Sequence, residues 1–264
     1  MRLSDTPMPW DCFLHPLARG QDIDAPKTTS LRKLILRQKR FLRMVYEEWY
    51  RSIANDLPTG SGQVLEIGSG AGFLPQIIPE VITSELFPVP DIQVVLDACR
   101  LPLASASLRA IVMTDVLHHI PEVRLFLAEA SRCVRAGGRI VMVEPWHTRW
   151  SRWVYTRLHP EPFRPNAEQW EFPATGPLSG ANGALPWILF DRDRSVFEAE
   201  YPQWRIATIQ PCMPFRYLLS GGVSYRGLMP ALTFSLWRGI ESGLRPWNRW
   251  LAMFAKVVLE RRPS

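Results

Sequence analysis

Between residues 64 and 119 the chain sets acids and glycines at the ends of short apolar runs. Val64-Leu65-Glu66-Ile67 is followed at once by Gly68-Ser69-Gly70-Ala71-Gly72. Alternate glycines suit a turn where backbone must approach a ligand closely or take a positive φ. A carboxylate closing the apolar run suits a ligand with a cation and hydroxyls better than a row of phosphates. The nearest competitor is the dinucleotide fingerprint G-x-G-x-x-G. Gly68 and Gly70 fit it, but its third glycine would fall at Phe73. Glu85 and Asp97 end two further apolar runs, and Asp115 precedes His118-His119. The two oxygens of Glu85 can accept from a pair of hydroxyls. Asp97 can accept from an exocyclic amine, with the Ala98 amide donating to a ring nitrogen. Ligands of doubly wound sheets sit outside the carboxyl ends of strands, so acids placed there in series read as one site.

The elements that must position these groups follow from periodicity. Residues 1–26 are rich in Pro and Asp and read as an irregular arm. Residues 28–53 read as one helix with Ser30 as N-cap, since Leu31, Leu34, Ile35, Phe41, Leu42, Val45, Trp49 and Ile53 recur at helical steps. Its other face carries Arg32, Lys33, Arg37, Lys39, Arg40 and Arg43 without an acid. That face is either a solvated surface over the pocket or a contact with an anionic membrane. After a turn at 57–62, strands are expected at 63–67, 81–86, 92–96, 110–114 and 139–143. The helix at 73–78 must be short, because Pro75 fits only its first turn and Pro79 stops it. Pro88 and Pro90 leave no room for a crossover helix before the third strand. A helix at 123–134 turns Leu125, Leu127 and Ala128 inward. Continuous apolar strands alternating with connections indicate a parallel sheet buried on both faces.

Beyond Glu144 the character changes: nine of the eleven tryptophans lie there. A helix at 146–158, an ordered lid at 160–186 anchored by Phe163, Trp170 and Phe172, a helix at 194–200 and a strand at 204–209 are expected. Helices interrupted at Gly221-Gly222, Pro230 and Pro246, and a last strand at 254–260, complete the chain. The division is 1–56, arm and amphipathic lid helix; 57–145, ligand-binding core; 146–264, acceptor-side insertion and final strands.

At 264 residues with 47% hydrophobic and 21% charged residues, the composition is that of a globular chain with one large core. Cys12, Cys99, Cys133 and Cys212 form no C-x-x-C pair and read as reduced thiols of a cytoplasmic protein, with membrane association left open. No signal peptide or bilayer-spanning run is seen. The net charge of +6 leaves room for an anionic partner without requiring one. Zinc spacings, a P-loop and a hydrolase elbow are absent, so no metal is expected.

Leu96-Asp97-Ala98-Cys99-Arg100-Leu101-Pro102, Ser107 to Val112, Asp115-Val116-Leu117-His118-His119-Ile120 and Val134-Arg135-Ala136-Gly137-Gly138 follow the E-x-G-x-G-x-G turn in order. Together they resemble the class I S-adenosylmethionine (SAM) dependent methyltransferases, and within them the type 11 small-molecule group that includes quinone-biosynthesis C-methyltransferases. The resemblance covers about 63–145. It implies an α/β Rossmann-like class I methyltransferase sheet, here with an N-terminal helix and an aromatic-rich C-terminal insertion. It implies SAM as cofactor, held by Glu66, Gly68, Ser69, Gly70, Gly72, Glu85, Asp97, Ala98 and Asp115, with Asp91 as the alternative to Glu85. The short first helix and missing second helix depart from the pattern and bear on Glu85. The acceptor is a small or lipid-like, aromatic or membrane-derived molecule, methylated at O, C or N. His118 and His119 are the candidate bases if the acceptor must lose a proton, with His147 and His159 behind them. Tyr155, Glu144 and Trp146 are placed on the acceptor side. A nucleic-acid methyltransferase is the alternative, disfavoured because no Asn- or Asp-Pro-Pro-aromatic loop follows the fourth strand. A non-catalytic scaffold at a membrane is the other.

Overall fold

The computed structural model describes residues 11–22, 24–159, 161–174, 176 and 180–263. Seven strands form one sheet: β1 Gln63–Glu66, β2 Val81–Glu85, β3 Val94–Val95, β4 Leu108–Thr114, β5 Val134–Pro145, β6 Trp204–Cys212 and β7 Phe254–Arg261. Their order is β3-β2-β1-β4-β5-β7-β6. β1 to β5 are parallel, and β7 runs antiparallel between β5 and β6. β1 pairs with both β2 and β4, so the chain direction across the sheet reverses beside it. A ligand crevice forms at such a switch point, and β1 ends there on Glu66. β4 and β5 are almost continuously buried, as a strand covered on both faces must be.

The expected N-terminal helix is two helices. α1 (Pro26–Gln38) begins on a proline, whose fixed φ suits a first helical position, so Ser30 lies inside it and caps nothing. Lys39, at φ −92° and ψ 83°, separates it from α2 (Arg40–Ala54). α2 buries Phe41, Leu42, Val45, Trp49, Tyr50 and Ile53 at helical spacing. The expected basic face is largely engaged. Lys39 donates to the carbonyls of Gly222 and Tyr225, Lys33 pairs with Asp91 at 2.7 Å, and the Arg43 guanidinium lies 4.1 Å over Phe73. Only Arg37 and Arg40 of the six are exposed; the other four are half-buried. Described residues of the arm form two short turns, Asp11–Phe13 and Pro16–Ala18.

The helix expected at 73–78 is a single turn, Leu74–Gln76, and residues 86–93 cross to β3 without a helix. α3 (Val123–Cys133) buries Val123, Phe126, Leu127, Ala130 and Cys133, while Leu125 and Ala128 are exposed. The 3–4 spacing beginning at Val123 places these five groups inward and leaves Leu125 on the opposite side. β5 begins five residues before its expected start and passes through Gly137-Gly138. A Cβ at Gly138 would meet Val134 Cγ1 at 2.6 Å and Arg109 O at 2.8 Å, so only glycine fits this bulge.

Beyond the sheet lie α4 (Arg149–Leu158), α5 (Leu185–Trp187) continuing as a π turn over Ile188–Arg192, α6 (Arg194–Glu200), α7 (Arg216–Ser220), α8 (Phe234–Gly243) and α9 (Asn248–Leu251). The described parts of 160–186 are pinned to the core. Phe163 and Trp170 are buried, the Trp170 indole donates to Asp193, and the Phe172 amide donates to Pro121 O. No helix among the described residues is long and apolar enough to cross a membrane. Cys99, Cys133 and Cys212 are free thiols.

Candidate active site

The glycine turn leaves β1 with Gly68 at φ +66° and Gly70 at φ +51°. Ser69 ties it to β2: its amide donates to Ser84 O, and its hydroxyl accepts from the Ser84 amide. Glu66 is buried at the foot of this turn. Burial, helped by the neighbouring Glu85 charge and opposed by a Ser69 hydrogen bond, pushes its carboxyl up to about 7. One of its oxygens, Oε2, is buried without a hydrogen-bond partner among the described residues. Such an atom calls for a donor from outside the chain.

Glu85 accepts from the Gly70 amide at 2.7 Å and the Leu86 amide at 3.1 Å, keeping spare lone pairs on both oxygens. Burial raises its pKa. Asp91, the alternative, is exposed and paired with Lys33, and it does not line the pocket. Asp97 accepts from the Cys99 amide at 2.8 Å, and Asp97, Ala98 and Cys99 form one wall of the site. A Cβ at Gly70 would meet nothing closer than Glu85 Oε1 at 3.5 Å, so that position faces open space. An unpartnered buried carboxylate, an open glycine cradle and two further acids in line fit the ammonium, ribose and adenine of SAM.

All these residues line one cavity of about 840 Å³, within the range of small-molecule sites. Its second half is walled by side chains from distant segments: Arg32 of α1, Tyr46 of α2, Trp153 and Tyr155 of α4, and Tyr217 of α7, while Tyr50 of α2 stands on the cofactor side with its hydroxyl against Gly72. His119, His159 and Glu161 lie there too. Asp115 joins the two halves at φ +63°, where burial pushes its carboxyl up to about 7.

The two histidines separate. His118 is 1% exposed and stands behind the cavity wall, with Nδ1 2.8 Å from Glu144 Oε2. Unlike His119 it does not line the cavity, although the two rings lie 4.2 Å apart and the Nε2 atoms of both face Glu161 Oε2. Glu144, also expected on the acceptor side, is fully buried and accepts from the Val116 and Leu117 amides, holding that turn. Burial opposes protonation of His118, but Glu144, Glu161 and Asp115 outweigh it and raise its pKa well above the usual value. His119 faces the cavity, and burial beside His118 lowers its pKa to about 3. Trp146 and His147 do not line the cavity; His147 packs 4.4 Å from Trp187. Tyr155 does line it and donates to Met253 O.

Sequence reading missed Tyr46, Tyr50, Arg32, Tyr217 and Glu161. Tyr46 and Tyr50 stand four apart on one helix, a spacing that could have marked a shared face. Glu161 carries no such signal. Its carboxylate meets His118, His119 and His159 only through the folding of the lid.

Residues 65–142 match the family described as a methyltransferase domain. No curated protein matches the chain. Among solved structures, geranyl diphosphate C-methyltransferase from Streptomyces coelicolor A3(2), in complex with Mg2+, geranyl diphosphate and S-adenosyl-L-homocysteine, superimposes with a TM-score of 0.51. The identity is 12%, over 91% of this chain and 87% of that one. The same enzyme with geranyl-S-thiolodiphosphate gives a TM-score of 0.50 at 11% identity, over 81% and 76%. The strand order and the superposition give this chain the Rossmann-like fold of a class I SAM-dependent methyltransferase, and residues 65–142, which carry the E-x-G-x-G-x-G turn at the switch point, match the methyltransferase domain.

Proposed function

We propose that the enzyme methylates a small, apolar or aromatic, lipid-like acceptor held in the Tyr- and Trp-walled half of the cavity. The observation that carries this reading is the single cavity that joins the Glu66 glycine turn to Tyr46, Trp153, Tyr155 and Tyr217. Glu66 would take the ammonium end of SAM, Glu85 the ribose hydroxyls, and Asp97 with Ala98 the adenine edge. When bound, SAM supplies an electrophilic methyl on sulfur, a strong built-in leaving group. The chain's own task is alignment: the aromatic walls exclude water and hold the acceptor in line, which can supply much of the acceleration. His119 lies on that side and positions the acceptor, while His118 and Glu144 hold the turn that carries it.

The acceptor end opens at Leu228, which lines the cavity yet is 54% exposed. Close by in sequence, Leu232, Leu236 and Ile240 recur every four residues as an exposed apolar stripe. Exposed Trp247 and Trp250 follow, interleaved with Arg238, Arg245 and Arg249. Aromatics and arginines around an apolar stripe suit the boundary of an anionic bilayer. This segment, more than the engaged basic face of α1, supports delivery of the acceptor from a membrane surface.

The test is methylation of fractionated extracts with isotopically labelled SAM, with products separated into organic and aqueous phases. Label transferred into the organic phase is expected; label found only in water-soluble products would overturn the lipid-like acceptor.

A further inference from the structure

We propose that His118, His119 and Glu161 bind one divalent first-row transition-metal ion at the wall of the acceptor chamber. Glu161 Oε2 lies 3.5 Å from His118 Nε2 and 3.8 Å from His119 Nε2. All three candidate ligand atoms lie within 4.8 Å of one another. These separations are long for hydrogen bonds. They suit two ligands sharing one ion: with bonds of about 2.1 Å, they subtend roughly 110–130° at the metal.

The other nitrogen of each ring is already committed. His118 Nδ1 sits 2.8 Å from Glu144 Oε2, and His119 Nδ1 faces the Gly180 carbonyl at 3.4 Å. Both partners are acceptors, so both Nδ1 atoms carry a proton and both Nε2 atoms face Glu161, where an arriving ion displaces the second proton that the carboxylates hold on His118. A carboxylate or carbonyl behind each imidazole is the arrangement that orients metal-binding histidines. Glu144 is itself fixed by two backbone amides, so this backing is rigid. The third imidazole near Glu161, His159, accepts from the Glu161 amide through Nδ1 and is not a ligand in this arrangement.

Two imidazoles and one carboxylate suit zinc, iron, cobalt or manganese; calcium and magnesium prefer an all-oxygen shell. Three protein ligands leave coordination positions open, and His119 and Glu161 line the cavity. The site can therefore take an oxygen of the acceptor. That role rests on the methyltransferase reading, whereas the ion site does not.

The experiment uses the full chain, stripped with a chelator and titrated with Co2+ alone, followed by visible absorption, with Zn2+ as competitor. One equivalent of Co2+ with ligand-field bands displaced by Zn2+ is expected. Glu161→Gln and His119→Ala should each weaken Co2+ binding by about 100-fold or more, and Glu144→Gln, which removes only the backing of His118, by about 10–100-fold. Circular dichroism monitors the fold, and the near-isosteric Glu161→Gln decides the case if His119→Ala does not fold. Absence of saturable Co2+ binding, or equal binding in wild type and Glu161→Gln, would overturn the proposal. SAM affinity, measured by calorimetry on the same preparations, separates the two ideas. SAM binding without Co2+ binding sinks only the ion site; Co2+ binding without SAM binding sinks only the methyltransferase reading.

Discussion

The two halves of the cavity are built in opposite ways. The cofactor half comes from consecutive strand ends: Glu66 on β1, Glu85 on β2, Asp97 just past β3 and Asp115 just past β4. Sheet register fixes these groups, and main-chain bonds such as Ser69 to Ser84 hold the turn between them. The acceptor half comes from side chains on α1, α2, α4, α7 and the lid, brought together only by tertiary packing. Damage to a strand-end group should therefore change one ligand contact. Damage to a tie between helices should loosen a whole wall.

The largest effect is expected at Arg216, which joins three acceptor-side elements. Its guanidinium contacts Glu241 of α8 and makes two 2.7 Å bonds to Glu48 of α2, while Glu241 also accepts from the Phe215 and Arg216 amides. Arg216 and Glu241 side chains are each 5% exposed, so removing the arginine leaves a buried carboxylate unpaired. Arg216→Ala should cost about 3–5 kcal/mol, measured by denaturant unfolding. Hydrogen exchange should rise in α7 and α8 before the sheet. Uniform loss of protection across β1, β4 and β5 would break the division into two halves.

Gly70→Val should act in the opposite manner. Its Cβ has space, but a branched side chain would fill the cradle and strain a residue at φ +51°. SAM affinity should fall more than about 100-fold, or about 2.7 kcal/mol, with the sheet intact by circular dichroism. Unchanged affinity in a folded variant would remove the turn from the site.

Much of the cofactor half was legible because each of its residues sits within a few positions of a strand end marked by an apolar run. The strand positions were legible for the same reason, and the final strand at 254–260 was placed almost to the residue. The acceptor half was not legible because no local pattern joins Tyr46, Trp153, Glu161 and Tyr217. The break at Lys39 was hidden by apolar spacing that continues across it. Its cause is tertiary: Lys39 reaches the Gly222 and Tyr225 carbonyls, 183 and 186 residues away. The inward face of α3 was misread at Leu125 and Ala128, since the buried residues Val123, Phe126, Leu127, Ala130 and Cys133 follow the 3–4 spacing and put those two on the outer side.

Glu66→Gln should have a smaller effect, and one that depends on pH. In the ligand-free chain, burial pushes its carboxyl from about 4.5 up to about 7, so the folded state holds a proton that the unfolded state releases. Its stability contribution is full below about pH 4.5 and is lost as pH rises through about 7. An ammonium ligand favours the ionised form, so SAM affinity should rise with pH and level off above about 7. Calorimetry in buffers of different ionisation enthalpy should detect proton release below that point. Glu66→Gln should lose about 10–100-fold in affinity and flatten the profile. A variant that keeps the wild-type pH profile would show that the proton belongs to another group.

The smallest effect sharpens the comparison most directly, because it should leave the cofactor untouched. Trp153 lines the acceptor chamber and is 44% exposed. Its ring stacks on Trp150 at 5.4 Å, outside the sheet and away from the glycine turn. Its truncation removes apolar wall rather than a strand end. Trp153→Ala should therefore leave SAM affinity within about twofold while weakening an apolar acceptor by about tenfold, the equivalent of about 1.4 kcal/mol. Unfolding should move little, since the lost ring was partly in solvent. Calorimetry with SAM and steady-state kinetics with the acceptor separate the two quantities. A parallel loss in both would mean that the chamber walls and the cofactor cradle are one coupled unit, and the two-part description of the cavity would fail.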